Sequence, residues 1–414
     1  MVKRVRGTQD ILPQDSCSWQ DIEEVARGIF PLYGYQEIRT PILEEASLFN
    51  RSLGANTEIV QKQMFEIRRQ KDHLVLRPEG TAPIVRAYLE NNLDKKKAVT
   101  KLYYFGPMFR AERPQKGRLR QFYHLGIEAI GSLSPQLDIE VISLGDRLLK
   151  GLGITKFKIC VNSLGCSEDK KRFVQELHKK LKSRLSKLCS DCQDRYKRNV
   201  FRILDCKNST CQRVVSSLDL RQGYLCADCQ AHFQMVIEGL DSIDLSYQLL
   251  PSLVRGLDYY TRTVFEFRHS QLGAQDALGA GGRYDNLVNQ LGGKECGAIG
   301  FAFGIERILL ARGGKPEPRT QKLVYVASLG EQADKRGAQL LHSLRANNIP
   351  ADMDYASRSL KAKMRQANDL NARFCIIIGE DELTRGTVSL KDMESGQQRE
   401  MSEEELLRQL KTKN

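Results

Sequence analysis

The sequence predicts an α+β protein of more than one domain. A large mixed domain covers residues 1–320, a basic, cysteine-rich subdomain is inserted into it at 166–236, and an α/β domain follows at 321–414. Three observations lead there. The 414 residues exceed what one compact core ordinarily holds. The run GGKPEPRTQ (313–321) is a Pro/Gly linker, after which short apolar strands alternate with helical patterns. Residues 166–236 hold 15 Lys/Arg against 8 Asp/Glu, more than half of the net +13, and interrupt strand-like segments on either side.

Taken in order, WQDIEEVARGIF (19–30) places apolar residues at a helical period, and GYQEIRTPILEE (34–45) is extended, with Pro41 confining any pairing to an edge. YYFGPMFRAERP and RLRQFYHLGIEAIG, between 103 and 131, are two strands joined by the polar loop PQKGR, which must project into solvent or onto an anion. Ser167 is the N-cap of an amphipathic helix with Phe173, Leu177, Leu181 and Leu185 on one face. The strand TRTVFEF (261–267) resumes the main domain, LGAGGRYD (278–285) is a Gly-rich turn, and GAIGFAFGIERILLA (297–311) is a strand running into a helix at Gly304. Beyond the linker, KLVYVASL, helices near 331–346 and 358–370, RFCIIIG and TVSLKD make a mainly parallel sheet, closed by the helix SEEELLRQLKTK.

A composition of 41% apolar and 28% charged residues is that of a globular protein, and no run approaches the roughly 18 apolar residues of a membrane span. The basic residues of MVKRVRGTQDILPQ lack an apolar stretch behind them, so a secretory signal is not expected and the cytoplasm is. The charge surplus fits either a polyanionic partner such as nucleic acid or a solvated basic face.

Six of the eleven cysteines form Cys189-x2-Cys192, Cys206-x4-Cys211 and Cys226-x2-Cys229. Two C-x2-C pairs, Cys189 and Cys192 with Cys226 and Cys229, would supply four thiolates to a structural zinc ion; six reduced thiols is the other reading. No P-loop or dinucleotide fingerprint is present. Arginines, however, stand in otherwise apolar strands: Arg110 after Met108-Phe109, Arg255 after Leu253-Val254, Arg307 after Gly304-Ile305-Glu306. A guanidinium there must be paired or face an anion. One alone is an ion pair; three in one domain indicate a phosphate site.

The ordered series GYQEIRTPILEE, RPEGTAPIVRAY, FRAERPQKGRLRQFYHLGIE, RGLDYYTRTVFE, GAGGRYD and AIGFAFGIERI resembles the histidyl-tRNA synthetases of bacterial type, over essentially the whole chain. A class II synthetase, which this resemblance implies, has an antiparallel sheet flanked by helices and a C-terminal anticodon-binding domain. It is a homodimer through the segment that here contains Pro41, with L-histidine, ATP carried with Mg2+, and tRNA(His) as partners. The fold is shared by a histidine-sensing regulatory subunit of ATP phosphoribosyltransferase, but that class usually lacks the C-terminal domain and has a degraded RGLDYY segment, whereas this chain has the C-terminal segment and an intact RGLDYY.

By the same resemblance, Arg110 would hold the α-phosphate and the carboxylate and Arg255 would approach from the opposite side. Arg307 would bind the γ-phosphate end, Phe122 would stack on adenine and Glu112 would lie near its amino group. Glu79, Gly80 and Thr81 would receive the α-ammonium, and Glu128 and Tyr260 would take the two imidazole nitrogens beside Tyr259. Arg113, Gln115 and Lys116 would read the tRNA acceptor end, and the basic insertion, with Lys179, Lys180 and Lys182, would clamp the acceptor stem. His124 stands where the family usually has Gln; neutral His can still donate and accept, with shorter reach and sensitivity to pH.

Overall fold

The computed structural model describes residues 2–54, 57–115, 117–220, 223–273, 276–313, 323–356 and 359–412, so Lys116 and most of the 313–321 linker lie outside the described residues. The chain divides into two compact units, Met1–Lys315 and Pro316–Asn414.

The strands of the first unit are β1 (Gln36–Glu37), β2 (Leu43–Glu45), β3 (Phe65–Arg69), β4 (Asp72–Leu76), β5 (Thr100–Phe109), β6 (Gln121–Ile130), β7 (Lys158–Ser163), β8 (Gln248–Leu249), β9 (Thr261–Arg268), β10 (Ala277–Arg283) and β11 (Ala298–Gly304). Eight of them form one sheet in the order β1-β5-β6-β11-β10-β9-β7-β8. Its six central strands are antiparallel neighbours, and a parallel pair closes each edge. Strands β2, β4 and β3 make a small separate antiparallel sheet.

Side-chain alternation along the central strands divides the unit into two faces. Leu125, Ile127 and Ala129 of β6 and Ile299, Phe301 and Phe303 of β11 enter a core shared with the helices Pro13–Ile29, Pro135–Gly151 and Ala227–Ser242. The residues of opposite parity, Phe122, His124 and Glu128 on β6 and Gly300, Ala302 and Gly304 on β11, face the other way. On that side the helices Ala46–Leu53 and Thr81–Glu90 pack with Tyr104, Tyr259, Tyr260 and Tyr284. The period of two therefore separates a helix-covered core from a polar face on the same strand.

Several sequence expectations are corrected. The first helix starts at Pro13 rather than Trp19, because proline at the first position loses no intrahelical hydrogen bond. LGAGGR is a strand and not a turn: a Cβ on Gly281 would come within 2.5 Å of the Phe265 ring, so the glycine admits a packed aromatic. The helix Ser167–Lys182 is capped by Cys166, not Ser167, with the Asp169 carboxylate accepting the Cys166 N–H at 3.2 Å. None of the three singled-out arginines lies within a strand. Arg110 follows the end of β5, Arg255 precedes β9, and Arg307 is in the first turn of Ile305–Arg312. Strand ends let a guanidinium reach a cavity while its remaining donors meet carbonyls.

The insertion is helical, with Ser167–Lys182, Ser190–Arg198, Phe201–Leu204 and Ser209–Ser216 around a core in which Phe173 stacks on Tyr224 at 4.2 Å. Residue 236 falls inside the helix Ala227–Ser242, whose Phe233, Val236 and Leu240 belong to the main core.

The second unit contains β12 (Val324–Ser328), β13 (Ala351–Met353), β14 (Phe374–Ile378), β15 (Val388–Asp392) and β16 (Gln398–Met401) in the order β13-β12-β14-β15-β16. The first three are parallel; β15 and β16 add antiparallel, so the sheet is mixed where a mainly parallel one was expected. The short helix Glu380–Arg385 explains this: it returns the chain too soon for a crossover. Among the described residues no helix is long and apolar enough to cross a membrane.

Candidate active site

The polar face of the large sheet floors a cavity of about 370 Å³. Of the residues singled out in the sequence, Glu79, Gly80, Thr81, Arg110, Glu112, Phe122, His124, Arg255, Tyr259, Tyr260 and Arg307 line it.

Glu128 lies behind this wall, 1% exposed. It accepts from the Thr81 hydroxyl at 2.7 Å through one oxygen and from the Tyr284 hydroxyl at 2.5 Å through the other. Burial pushes its carboxyl up to about 8, against the pull of these two donors. Gly300 makes the fit possible, since a Cβ there would sit 2.0 Å from Glu128 Oε2. Sequence reasoning missed Tyr284, although the YD after GAGGR was on view. What was missing was that β10 and β6 face each other across the Gly300 position.

Glu79 caps the helix Thr81–Glu90, accepting from the backbone N–H groups of Thr81 (2.7 Å) and Ala82 (2.9 Å). A carboxylate offers about four acceptor sites, so capping leaves room for a ligand ammonium. Tyr259 and Tyr260 lie ring to ring at 4.8 Å. Burial moves the Tyr260 hydroxyl up to about 12, with Arg255 opposing, and so keeps it a donor. His124 has a buried Nδ1 with no partner among the described residues. Burial, then Arg110 and Arg77, lower it to about 3, which favours the neutral ring.

The arginines are held, not free. Arg110 donates to the Pro78 carbonyl at 2.9 Å and lies 5.3 Å from the Phe122 ring centroid. Arg255 pairs with Glu266, which also takes Arg268 at 2.6 Å, while the buried Nε of Arg255 has no partner among the described residues. Arg307 donates to the carbonyls of Ala277 and Gly117, the latter at 3.2 Å. Glu112 meets Arg118 at 3.2 Å. Beside Arg307, Glu306 accepts the Tyr123 N–H at 3.0 Å and burial raises it to about 7.

Asp258, expected to hold its neighbours, contributes a backbone carbonyl to the turn before β9. Lys170, from the insertion, donates to the carbonyls of Asp258 (2.8 Å) and Tyr260 (3.0 Å) and so pins the turn that presents both tyrosines.

Arg113 and Gln115 are exposed on the loop between β5 and β6, where Gln115 bridges to Arg118. In the insertion, Lys179 and Lys182 are exposed, whereas Lys180 meets Glu176 at 2.6 Å.

The cysteines do not group as expected. Cys189 and Cys192 cluster with Cys206 and Cys211, while Cys226 and Cys229 cluster with Cys166 and Asp169. The two C-x2-C pairs thus belong to different sites, because each sits at the start of its own helix.

Family comparisons agree with this architecture. The model for histidyl-tRNA synthetase matches residues 7–308, and that for an anticodon binding domain matches 323–413. The chain is 46% identical to the histidine--tRNA ligase of Halothermothrix orenii, over 97% of this chain and 96% of that one. It is 45% identical to that of Desulforamulus reducens, over 98% of each. The crystal structure of apo S. aureus histidyl-tRNA synthetase superposes with a TM-score of 0.81 at 35% identity, covering 99% of this chain and 100% of that one.

Proposed function

The chain belongs to the histidyl-tRNA synthetase family, and we propose that it joins L-histidine to tRNA(His) in two steps within the cavity described above. An oxygen of the histidine carboxylate attacks the α-phosphorus of ATP, and the bond to the bridging oxygen breaks to release pyrophosphate. A terminal ribose hydroxyl of the tRNA then attacks the acyl carbon and expels AMP. The observation that carries this reading is a buried carboxyl, Glu128, held by Thr81 and Tyr284 directly behind the wall of a cavity that three arginines, Arg110, Arg255 and Arg307, line.

The imidazole presents one N–H donor and one nitrogen acceptor. Glu128 receives the first and the Tyr260 hydroxyl meets the second, with Tyr259 and His124 on the walls. Glu79 and Thr81 take the α-ammonium. Negative charge grows at the phosphorus in the first step, so cations fixed beforehand lower the barrier without reorganising. Arg110 and Arg255 supply them on opposite sides of the α-phosphate, and Arg307 binds the γ-phosphate. Phe122, backed by Arg110, stacks on adenine near Glu112. ATP enters as its Mg2+ complex, the ion carried chiefly by the phosphates.

For tRNA, Arg113, Gln115 and Lys116 read the acceptor end, the second unit binds the anticodon, and Lys179 and Lys182 bind acceptor-stem phosphates. The enzyme acts as a cytoplasmic homodimer. Ile42 and Leu43, beside Pro41, are 42% and 47% exposed and supply apolar surface for that contact. Charging assays with radiolabelled histidine test the reading. The protein should acylate tRNA(His) carrying the extra 5′ guanosine and should fail on a transcript without it; equal charging of both would overturn the acceptor-end assignment.

A further inference from the structure

The insertion holds four cysteines that the reaction does not use. Cys189 caps the helix Ser190–Arg198 and Cys192 lies in its first turn. Cys206 follows Phe201–Leu204, and Cys211 is in the first turn of Ser209–Ser216, which Asn208 caps through the Thr210 N–H at 2.9 Å. Their four sulfurs lie within 4.8 Å of one another, with three of the residues buried.

Geometry separates the possible states. Cys189 Sγ and Cys206 Sγ are 3.9 Å apart. A disulfide needs about 2.05 Å, whereas two sulfurs on a tetrahedral zinc with bonds of about 2.3 Å stand roughly 3.8 Å apart. The Cys189 N–H donates to Cys211 Sγ at 3.2 Å, a bond that favours a thiolate. The starts of two helices add their positive ends to the same point. The core of the insertion is small, and small cores commonly need a staple.

We propose that Cys189, Cys192, Cys206 and Cys211 bind one zinc ion as a tetrathiolate site, the thiol protons leaving to solvent as the metal enters. The other cysteine cluster is of a different kind. There the buried Asp169 carboxylate is committed to the N–H groups of Cys166 (3.2 Å) and Cys226 (3.0 Å) and to Arg172, a capping network complete without a metal.

The site also bears on the catalytic cavity. Cys206 stands between Asp205 and Lys207, which both line the cavity with Arg202, and Arg202 reaches Glu58 at 2.7 Å. A metal on Cys206 therefore fastens one rim of the active site to the insertion.

The test is metal analysis of the full-length protein purified under reducing conditions without chelator. Wild type and the Cys226→Ser/Cys229→Ser variant should each carry one zinc per chain, and Cys206→Ser should carry none. Should Cys206→Ser fail to fold, cobalt titration of metal-stripped wild type decides: the absorption of tetrahedral tetrathiolate cobalt supports the site. Stripping should raise KM for ATP about tenfold, the scale of one rim interaction lost, with recovery on adding zinc. Wild type that neither retains zinc nor gives the cobalt spectrum overturns the proposal, as does loss of zinc from the Cys226→Ser/Cys229→Ser variant alone.

Discussion

Tyr284 donates its hydroxyl to Glu128 at 2.5 Å, from just beyond the end of β10 and more than 150 residues further along the chain. Together with Thr81 on the other oxygen, it fixes the plane of the carboxyl under the cavity. Tyr284→Phe removes one buried donor and leaves an acceptor short, at a cost of about 1–3 kcal/mol. The expected result is a rise of about tenfold or more in KM for histidine, with KM for ATP much less changed. Steady-state pyrophosphate exchange measures both, and an unchanged histidine KM would remove Tyr284 from the pocket.

Histidine binding should expel a proton at neutral pH. Burial raises the Glu128 carboxyl to about 8, so in the empty pocket it is mostly protonated at pH 7, and the ionised form is the stronger acceptor for the ring N–H. Affinity should therefore rise between about pH 7 and 8, where free imidazole is already neutral. Titration calorimetry in two buffers of different ionisation enthalpy gives the proton count, and zero would contradict the assignment. The sign for stability follows from the same shift. The folded value lies above the ordinary 4.5, so this group's contribution is full below that value and is lost as pH rises through about 8. Glu128→Gln should flatten that loss.

Arg255 and Glu266 act as a pair in which the carboxylate aims the guanidinium. Arg255→Ala should lower the rate of adenylate formation about 10²–10³-fold, the usual consequence of removing one preset charge. Glu266→Gln should fall between wild type and that variant, because Arg255 remains but is less firmly directed. Rapid-quench measurement of the first turnover distinguishes them; equal rates in all three would remove Arg255 from the chemistry.

His124 faces the cavity as a neutral ring. His124→Gln keeps a donor and an acceptor, so KM for histidine should stay within a few-fold and its pH profile should not move. A loss above about a hundredfold, near 2.7 kcal/mol, would mean the surrounding side chains require imidazole.

Much of this site was legible in the sequence, and the gaps have a common physical origin. The parity of Phe122, His124 and Glu128 along one strand can be read directly, because side chains alternate with a period of two. LGAGGR is ambiguous because glycine marks both turns and close approach, and the Gly300 carbonyl and Phe265 ring that distinguish them come from neighbouring strands. The contact from Lys170 to the carbonyls of Asp258 and Tyr260 spans 88 and 90 residues and leaves no local pattern. The cysteines illustrate the same limit: their spacing suggested one site from two similar pairs, whereas helix starts decide which sulfurs meet.

Histidine-dependent exchange of labelled pyrophosphate into ATP, run against the full set of amino acids, reads both the first step and its amino-acid specificity. Exchange is expected with histidine alone, slowed about 10²–10³-fold in Arg255→Ala and weakened through KM in Tyr284→Phe. Absence of exchange with histidine, or equal exchange with another amino acid, would contradict it.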